Sequence, residues 1–305
     1  LVTVGLLFWR SASADPVAGQ QNQSKTATAS STNTVATAAT KQRTIITKNL
    51  QNYLKQVTAD GDASVSFYSL AATNNSAADT TKNQLIYGDG KINVESNATT
   101  SETPASTYKL FIAAYLFYLR QSGQFSWTST NRSGFYQMIV NSSNDFPLSI
   151  RAEYGTASIN AFIKSQGWTS PVFRNEEATS TTSQSLRALL QNLAAGTGAF
   201  SNAQDQQYLL SLMKKQIYRA GIPAGVATVD QGATVADKVG FLDDVNNDAA
   251  IVTTSTGQRY ILVIMTHGHN QATLDFSRIK AIAARVQQIV YGTNAGTELK
   301  NYSAD

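Results

Sequence analysis

Three serines are followed at the third position by lysine: Ser106-Thr-Tyr-Lys109, Ser211-Leu-Met-Lys214 and Ser277-Arg-Ile-Lys280. On a helix, residues three apart share one face, so the lysine nitrogen can reach the serine oxygen. A lysine withdrawn from water loses proton affinity and can take up the serine proton, while backbone N–H groups at a helix start can hold a developing oxyanion. Only Ser106 falls at a predicted helix start, directly after Thr103-Pro104-Ala105. The other two pairs fall inside the predicted helices Ala203–Gln216 and Leu274–Tyr291, where the N–H groups would be used by the helix ladder. Ser106 and Lys109 are therefore the candidate nucleophile and base for an acyl transfer.

Two further motifs follow Ser106 in order. Ser-x-Asn occurs at Ser129, Ser142 and Ser158, and Lys-x-Gly occurs once, as Lys238-Val239-Gly240. Ser142-Ser143-Asn144 lies between two helical patterns, which places a hydroxyl and an amide on a short loop. Lys238 falls on a predicted strand, where it could hold a substrate carboxylate. Gly240 would let a substrate backbone lie along the strand edge.

Composition narrows the chemistry. The 305 residues contain no cysteine, which removes thiol nucleophiles, disulfides and thiolate metal sites. The only histidines are His267 and His269, in one loop, so a dispersed Ser/His/Asp triad or a three-histidine zinc site is hard to build. With no third ligand near them in sequence, they read as ordinary loop residues, and Asp243, Asp244 and Asp248 read as turn residues. No metal and no cofactor is expected. Charged residues make up 14% and the formal charge is +4, without a basic cluster, so nucleic acid is not an expected partner. Uncharged polar side chains (Ser, Thr, Asn, Gln) supply roughly a third of the chain.

The elements that must position these residues follow from periodicity. Thr44 to the Asp60-Gly61 stop carries Ile45, Ile46, Leu50, Tyr53, Leu54 and Val57 at helical spacing. Strands are expected at Ser64–Leu70, at Gln84–Tyr87 joined through Asp89-Gly90 to Lys91–Glu95, and later at Thr234–Leu242, Ala249–Thr254 and Arg259–Thr266. Between them lie helical patterns: Pro104–Arg120, apolar nearly all round, then Phe135–Val140, Ala157–Ser165, Ser183–Ala194 and Ala203–Gln216. Leu274–Tyr291 closes the series. The expected fold is α+β: an antiparallel sheet built from both chain ends, flanked by the N- and C-terminal helices, with an inserted all-helical lobe and a cleft between lobe and sheet.

Residues 1–14 read as a truncated signal peptide or membrane anchor, with Ala12-Ser13-Ala14 as a cleavage signal, and residues 15–43 as a flexible Ser/Thr/Ala/Gln-rich linker. Residues 44–305 form the expected domain. The expectation is a secreted or extracellular protein, tethered to the membrane only through its N-terminal segment where that segment is retained.

The order Ser-x-x-Lys, Ser-x-Asn, Lys-x-Gly resembles the penicillin-recognising serine acyl-transferases, above all the class A β-lactamases. The stretches Ala220-Gly-Ile-Pro-Ala-Gly225, Ala236-Asp-Lys238-Val-Gly240 and Asn247-Asp-Ala-Ala-Ile-Val252 are similar to the family in the same order. The resemblance covers about Thr44 to Tyr291. It implies Ser106 as nucleophile, Lys109 as its proton acceptor and Ser142 as relay to the leaving nitrogen. It further implies Asn144 as holder of a substrate amide, and Lys238 as the residue that positions Ser142 and attracts the substrate carboxylate. The backbone N–H groups of Ser106 and Phe241 would form the oxyanion hole, with Gly240 beside them. The implied substrates are β-lactams or D-alanyl peptides, with peptidoglycan as a further partner, and a monomer is expected.

Three departures bear on the reaction. The segment Gly167–Ser183, where the family carries the glutamate that directs the deacylating water, is short. Glu176 or Glu177 is the candidate base, and two solvated loop acids is the other reading. Val239 stands where the family has Thr or Ser, which removes a hydroxyl worth on the order of 1.5–3 kcal/mol to a bound carboxylate. The stretch from Ser106 to Ser142 is also short, which predicts a reduced helical lobe and a more open cleft. Efficient deacylation would make a β-lactamase. Slow deacylation would make a penicillin-binding carboxypeptidase, transpeptidase or esterase, and loss of catalysis a cell-wall-binding module.

Overall fold

The computed structural model describes residues 22–174 and 179–302, with side chains from residue 33 onward. Five antiparallel strands form one sheet in the order β2-β1-β5-β4-β3: β1 Ala63–Leu70, β2 Asn93–Ser96, β3 Thr234–Leu242, β4 Val245–Thr253 and β5 Arg259–Thr266. The expected α+β architecture is the one observed, with early strands pairing late ones.

Strand β5 shows why the sheet lies in the middle of the molecule. Every residue from Tyr260 to Met265 is fully buried, and alternate residues serve opposite faces as the strand period of two requires. Tyr260, Leu262 and Ile264 pack against helices α1 (Asn22–Val57) and α10 (Ser277–Tyr291). Ile261, Val263 and Met265 face the helical lobe. That lobe comprises α3 (Lys109–Gln121), α4 (Ser129–Val140), α5 (Asp145–Tyr154), α6 (Thr156–Ser165), α7 (Ser183–Ala195) and α8 (Ala203–Met213). The all-round apolar pattern of α3 is explained by its place at the lobe's centre, where Lys109 to Phe117 are all buried.

One expected strand is replaced by a helix. Gln84–Tyr87 belongs to a helix, α2 (Thr81–Tyr87), not a strand: the Thr80 hydroxyl accepts the Asn83 N–H at 3.2 Å, an N-cap signal that outweighs the short apolar run. Residues 22–43, expected as part of a flexible linker, lie in α1, which runs unbroken through the boundary at residues 43 and 44. No Gly or Pro interrupts Asn22–Val57, alanine favours the helix, and extending a helix already anchored by packing costs little. Among the described side chains, packing against the body begins at Ala39, five residues before the expected ordered start. The segment 1–14 lies outside the described residues, and no described helix is long and apolar enough to cross a membrane.

The short helix α9 (Ile222–Ala227) begins in the Ala220–Gly225 motif stretch and ends two residues beyond it. Asp248, expected in a turn, is instead a fully buried residue of β4 opposite Val239.

Candidate active site

Ser106 lies in a single 3-10 turn, Ala105–Tyr108, which leads directly into α3. The turn is set by Pro104, whose carbonyl accepts both the Thr107 N–H at 3.1 Å and the Thr107 hydroxyl at 2.7 Å. Ala105 adopts φ +44, a left-handed conformation that sidechain-bearing residues take only when their surroundings hold them there. The edge strand β3 does the holding. A Cβ on Gly240 would come within 2.5 Å of the Pro104 carbonyl and 2.9 Å of the Ser106 and Thr107 amide nitrogens. Glycine is needed here because backbone lies directly on backbone.

Lys109, the first residue of α3, is completely buried. Its Nζ donates to Ser106 Oγ at 2.8 Å, to the Ser142 carbonyl at 2.5 Å and to Asn144 Oδ1 at 2.8 Å, with Ser142 Oγ at 3.3 Å. Burial pulls its pKa down to about 8. A lysine so placed is near the point at which it can exchange a proton with the serine at neutral to mildly alkaline pH.

The chain delivers Ser142 from the end of α4. It takes φ +59 just past the helix, a position that usually goes to Gly or Asn, while Ser143 N–H bonds back to the Gln137 carbonyl at 3.0 Å. Asn144 stands at the N-cap of α5, yet its side chain makes no cap bond and is turned to Lys109 instead. Both residues thus depart from local preference at the point where they meet the lysine.

Lys238 closes the cluster from β3. It is fully buried, and its Nζ donates to Ser142 Oγ at 2.9 Å, Gln216 Oε1 at 3.1 Å and the Val239 carbonyl at 2.9 Å. Desolvation, then the nearby positive charge of Lys109, lowers its pKa well below the usual lysine range. Ser142 therefore bridges two lysines, one on each side of the cleft. The Phe241 ring packs edge-on to Tyr218 at 5.1 Å, immediately beyond the Gly240 contact.

Sequence reasoning missed the support beneath Lys238. Gln216, 2% exposed, also donates to the Asp237 carbonyl at 3.1 Å and to Asp237 Oδ2 at 2.9 Å. Arg219 pairs with Asp237 and donates to the Val235 carbonyl at 2.9 Å. Burial pushes the Asp237 carboxyl up to about 6 and raises Asp248, which the adjacent Asp237 charge raises further. The only sequence signal was Asp237 beside Lys238 in a strand, since Gln216 and Arg219 reach it across the fold.

Val239 does not border the cleft as expected. Its side chain is fully buried in the cluster shared with Val235, Val252 and α10, because successive strand residues face opposite ways. Glu176 and Glu177 lie outside the described residues. The described ends of their loop are pinned close to the nucleophile. Asn160 Oδ1 accepts the Val172 and Phe173 N–H groups at 3.0 Å each, the Phe173 ring meets Tyr108 edge-on at 5.5 Å, and Thr181 bridges Glu102. Among the described residues, no carboxylate is hydrogen-bonded to Ser106 or Lys109.

A family model described as the beta-lactamase enzyme family matches residues 136–293. The fold is similar to that of PBP-A, solved as a variant in an acyl-enzyme complex with penicillin G: 20% identity over 79% of this chain and 95% of that chain, TM-score 0.62. It is likewise similar to a β-lactamase from Sphaerobacter thermophilus (17% identity, 79% of this chain and 96% of that chain, TM-score 0.62). A representative of class A β-lactamases from Bacteroides cellulosilyticus gives 16% identity over 81% and 97%, TM-score 0.60. Identities this low establish the shared fold alone. Among curated proteins none matches the chain.

Proposed function

We propose, from the premise that this chain belongs to the beta-lactamase enzyme family, that it is a class A-like serine hydrolase that opens β-lactams through an acyl-Ser106 intermediate and then hydrolyses it. The observation that carries this reading is the buried Lys109 nitrogen 2.8 Å from Ser106 Oγ. In its neutral form Lys109 takes the Ser106 proton as Oγ attacks the lactam carbonyl. The N–H groups of Ser106 and Phe241 hold the oxyanion. As the C–N bond breaks, Ser142 Oγ gives its proton to the leaving nitrogen and is reprotonated from the lysine side. Asn144 and Lys238 orient the acyl side chain and the substrate carboxylate. Water, directed by Glu176 or Glu177, then cleaves the ester and restores Ser106. The same reading takes the protein to act outside the cell, on the strength of the Ala12-Ser13-Ala14 signal.

A second reading, a penicillin-binding carboxypeptidase or transpeptidase-like enzyme with slow deacylation, is favoured by the short Gly167–Ser183 segment and by the fold shared with PBP-A, solved as an acyl-enzyme complex with penicillin G. Intact mass spectrometry after mixing with penicillin separates the two. Turnover of penicillin with no lasting adduct supports hydrolysis, and a persistent penicilloyl adduct supports slow release. Neither adduct nor turnover, with wild type and Ser106→Ala indistinguishable, would sink both.

A further inference from the structure

His267 and His269 stand on the loop after β5, where β5 runs antiparallel to β1, and the ladder continues one step past the strands as the His267 N–H bonds to the Asp62 carbonyl at 3.0 Å. That pairing brings the loop against the turn between α1 and β1, which carries Asp60 and Asp62. His269 Nε2 lies 2.9 Å from Asp60 Oδ2 and 3.2 Å from Asp62 Oδ2, and ligand atoms of these three residues all fall within 4.8 Å of one another. His267 Nε2 is 3.5 Å from Asp62 Oδ1. Ligand atoms around a tetrahedral zinc ion at ~2.0–2.2 Å stand about 3.4 Å apart, and the His269–Asp60, His269–Asp62 and His267–Asp62 separations of 2.9, 3.2 and 3.5 Å bracket that spacing.

A second observation comes from behind the loop. Glu102, 7% exposed, directs its carboxylate at His267, with Oε2 3.1 Å from Nδ1. Its other oxygen, Oε1, is buried without a hydrogen-bond partner. A carboxylate that accepts a hydrogen bond from the Nδ1–H of a histidine, leaving Nε2 for the ion, is the usual support of a metal-bound imidazole. Gly268, with φ +71, lets the loop close over Asp62, since a Cβ there would meet Asp62 Oδ2 at 2.8 Å. The groups facing the cluster are mixed in sign. Arg278 Nη2 donates to Asp60 Oδ2 at 2.6 Å, and the Asp62 N–H donates to Asp60 Oδ1 at 3.0 Å, so Asp60 is the ligand a metal would have to share.

We propose that His267, His269 and Asp62, completed by Asp60 and backed by Glu102, form a site for a divalent cation of the zinc type, separate from the Ser106 cleft. The donor set of two imidazoles and two carboxylates suits zinc better than the all-oxygen cages of calcium or magnesium. The cation would clip the α1–β1 turn to the loop after β5 and would fix Glu102, which lies four residues before Ser106.

The test is titration of tag-free, chelator-treated full-length protein with zinc chloride by calorimetry, with the thermal unfolding midpoint read in parallel. The expected result is saturable one-to-one binding and a higher midpoint with zinc. Binding should be lost in the His267→Ala/His269→Ala double variant and weakened about 10–100-fold in Glu102→Gln. All four changed or bound side chains other than Glu102 are part-exposed, and the circular dichroism spectrum of each variant checks that it has folded. No saturable zinc binding, unaltered binding in the double variant, or calcium binding that survives loss of both histidines would each overturn the proposal. In those cases the histidines serve only as ion-pair partners of Asp60, Asp62 and Glu102.

Discussion

At the scale of single residues, the site depends on lysines kept from water. Lys109 gains three short contacts to oxygen but loses hydration, and the balance brings its pKa down from 10.5 to about 8. The sign of the pH dependence follows. Below about 8 the ammonium form predominates and has no lone pair for the Ser106 proton; above it the free amine does. The rate of Ser106 acylation, read by stopped-flow or by time-resolved mass spectrometry, should therefore climb as pH rises from 6 and level off above about 8. Lys109→Arg keeps a permanent cation and should remove that limb while lowering acylation about 10²–10⁴-fold. A flat profile in the wild type would count against Lys109 as the base. Ser142 is held between Lys109 and Lys238 at 3.3 and 2.9 Å, so its hydroxyl is within reach of a proton from either side of the cleft. Lys238, in turn, owes its position to Gln216, which it shares with Asp237.

At the scale of elements, the contact between β3 and the 3-10 turn decides whether these residues meet. Gly240 touches the turn through backbone alone, so Gly240→Ala must push the strand from Ser106. A displacement of about 1 Å is worth on the order of 10²-fold in rate. The variant should lose acylation to that degree while keeping its circular dichroism spectrum, and unchanged acylation would show that the strand does not set the site. The same contact explains what sequence could and could not show. Strands β3 and β5 were readable because Thr234–Leu242 and Arg259–Thr266 carry β-branched residues in runs whose ends are marked by turns. Ser106, Lys109, Ser142, Asn144 and Lys238 were readable because their motifs are local. Helix α2 was misread because four residues of apolar pattern cannot distinguish strand from helix, and its Thr80 cap was the decisive signal. Gln216, Arg219 and the partners of the two histidines were invisible because each acts on a residue that only tertiary pairing brings near. Asp60 and Asp62 lie more than two hundred positions from His269, joined to it by the β1–β5 ladder.

At the scale of the whole molecule, a sheet buried on both faces divides the labour: one face packs on α1, α9 and α10, and the other carries the lobe that holds Lys109, Ser142 and Asn144. Within α1, among the described side chains, Val35 is 45% exposed and burial starts at Ala39. Removal of residues 1–32 should leave the thermal midpoint and Ser106 acylation unchanged, whereas removal through Leu50 strips Ala39, Ile46 and Leu50 from the core and should abolish cooperative unfolding, both measured by calorimetry. A drop in midpoint on the shorter deletion would mean that this stretch packs after all. The continuity of α1 has a mechanical consequence. From Asn22 to Ala39 a helix extends about 25 Å at ~1.5 Å per residue. A coil of that length would let the domain turn freely relative to residue 22. A rod instead transmits angle as well as distance, so residue 22 stands on one fixed bearing from the mouth of the cleft.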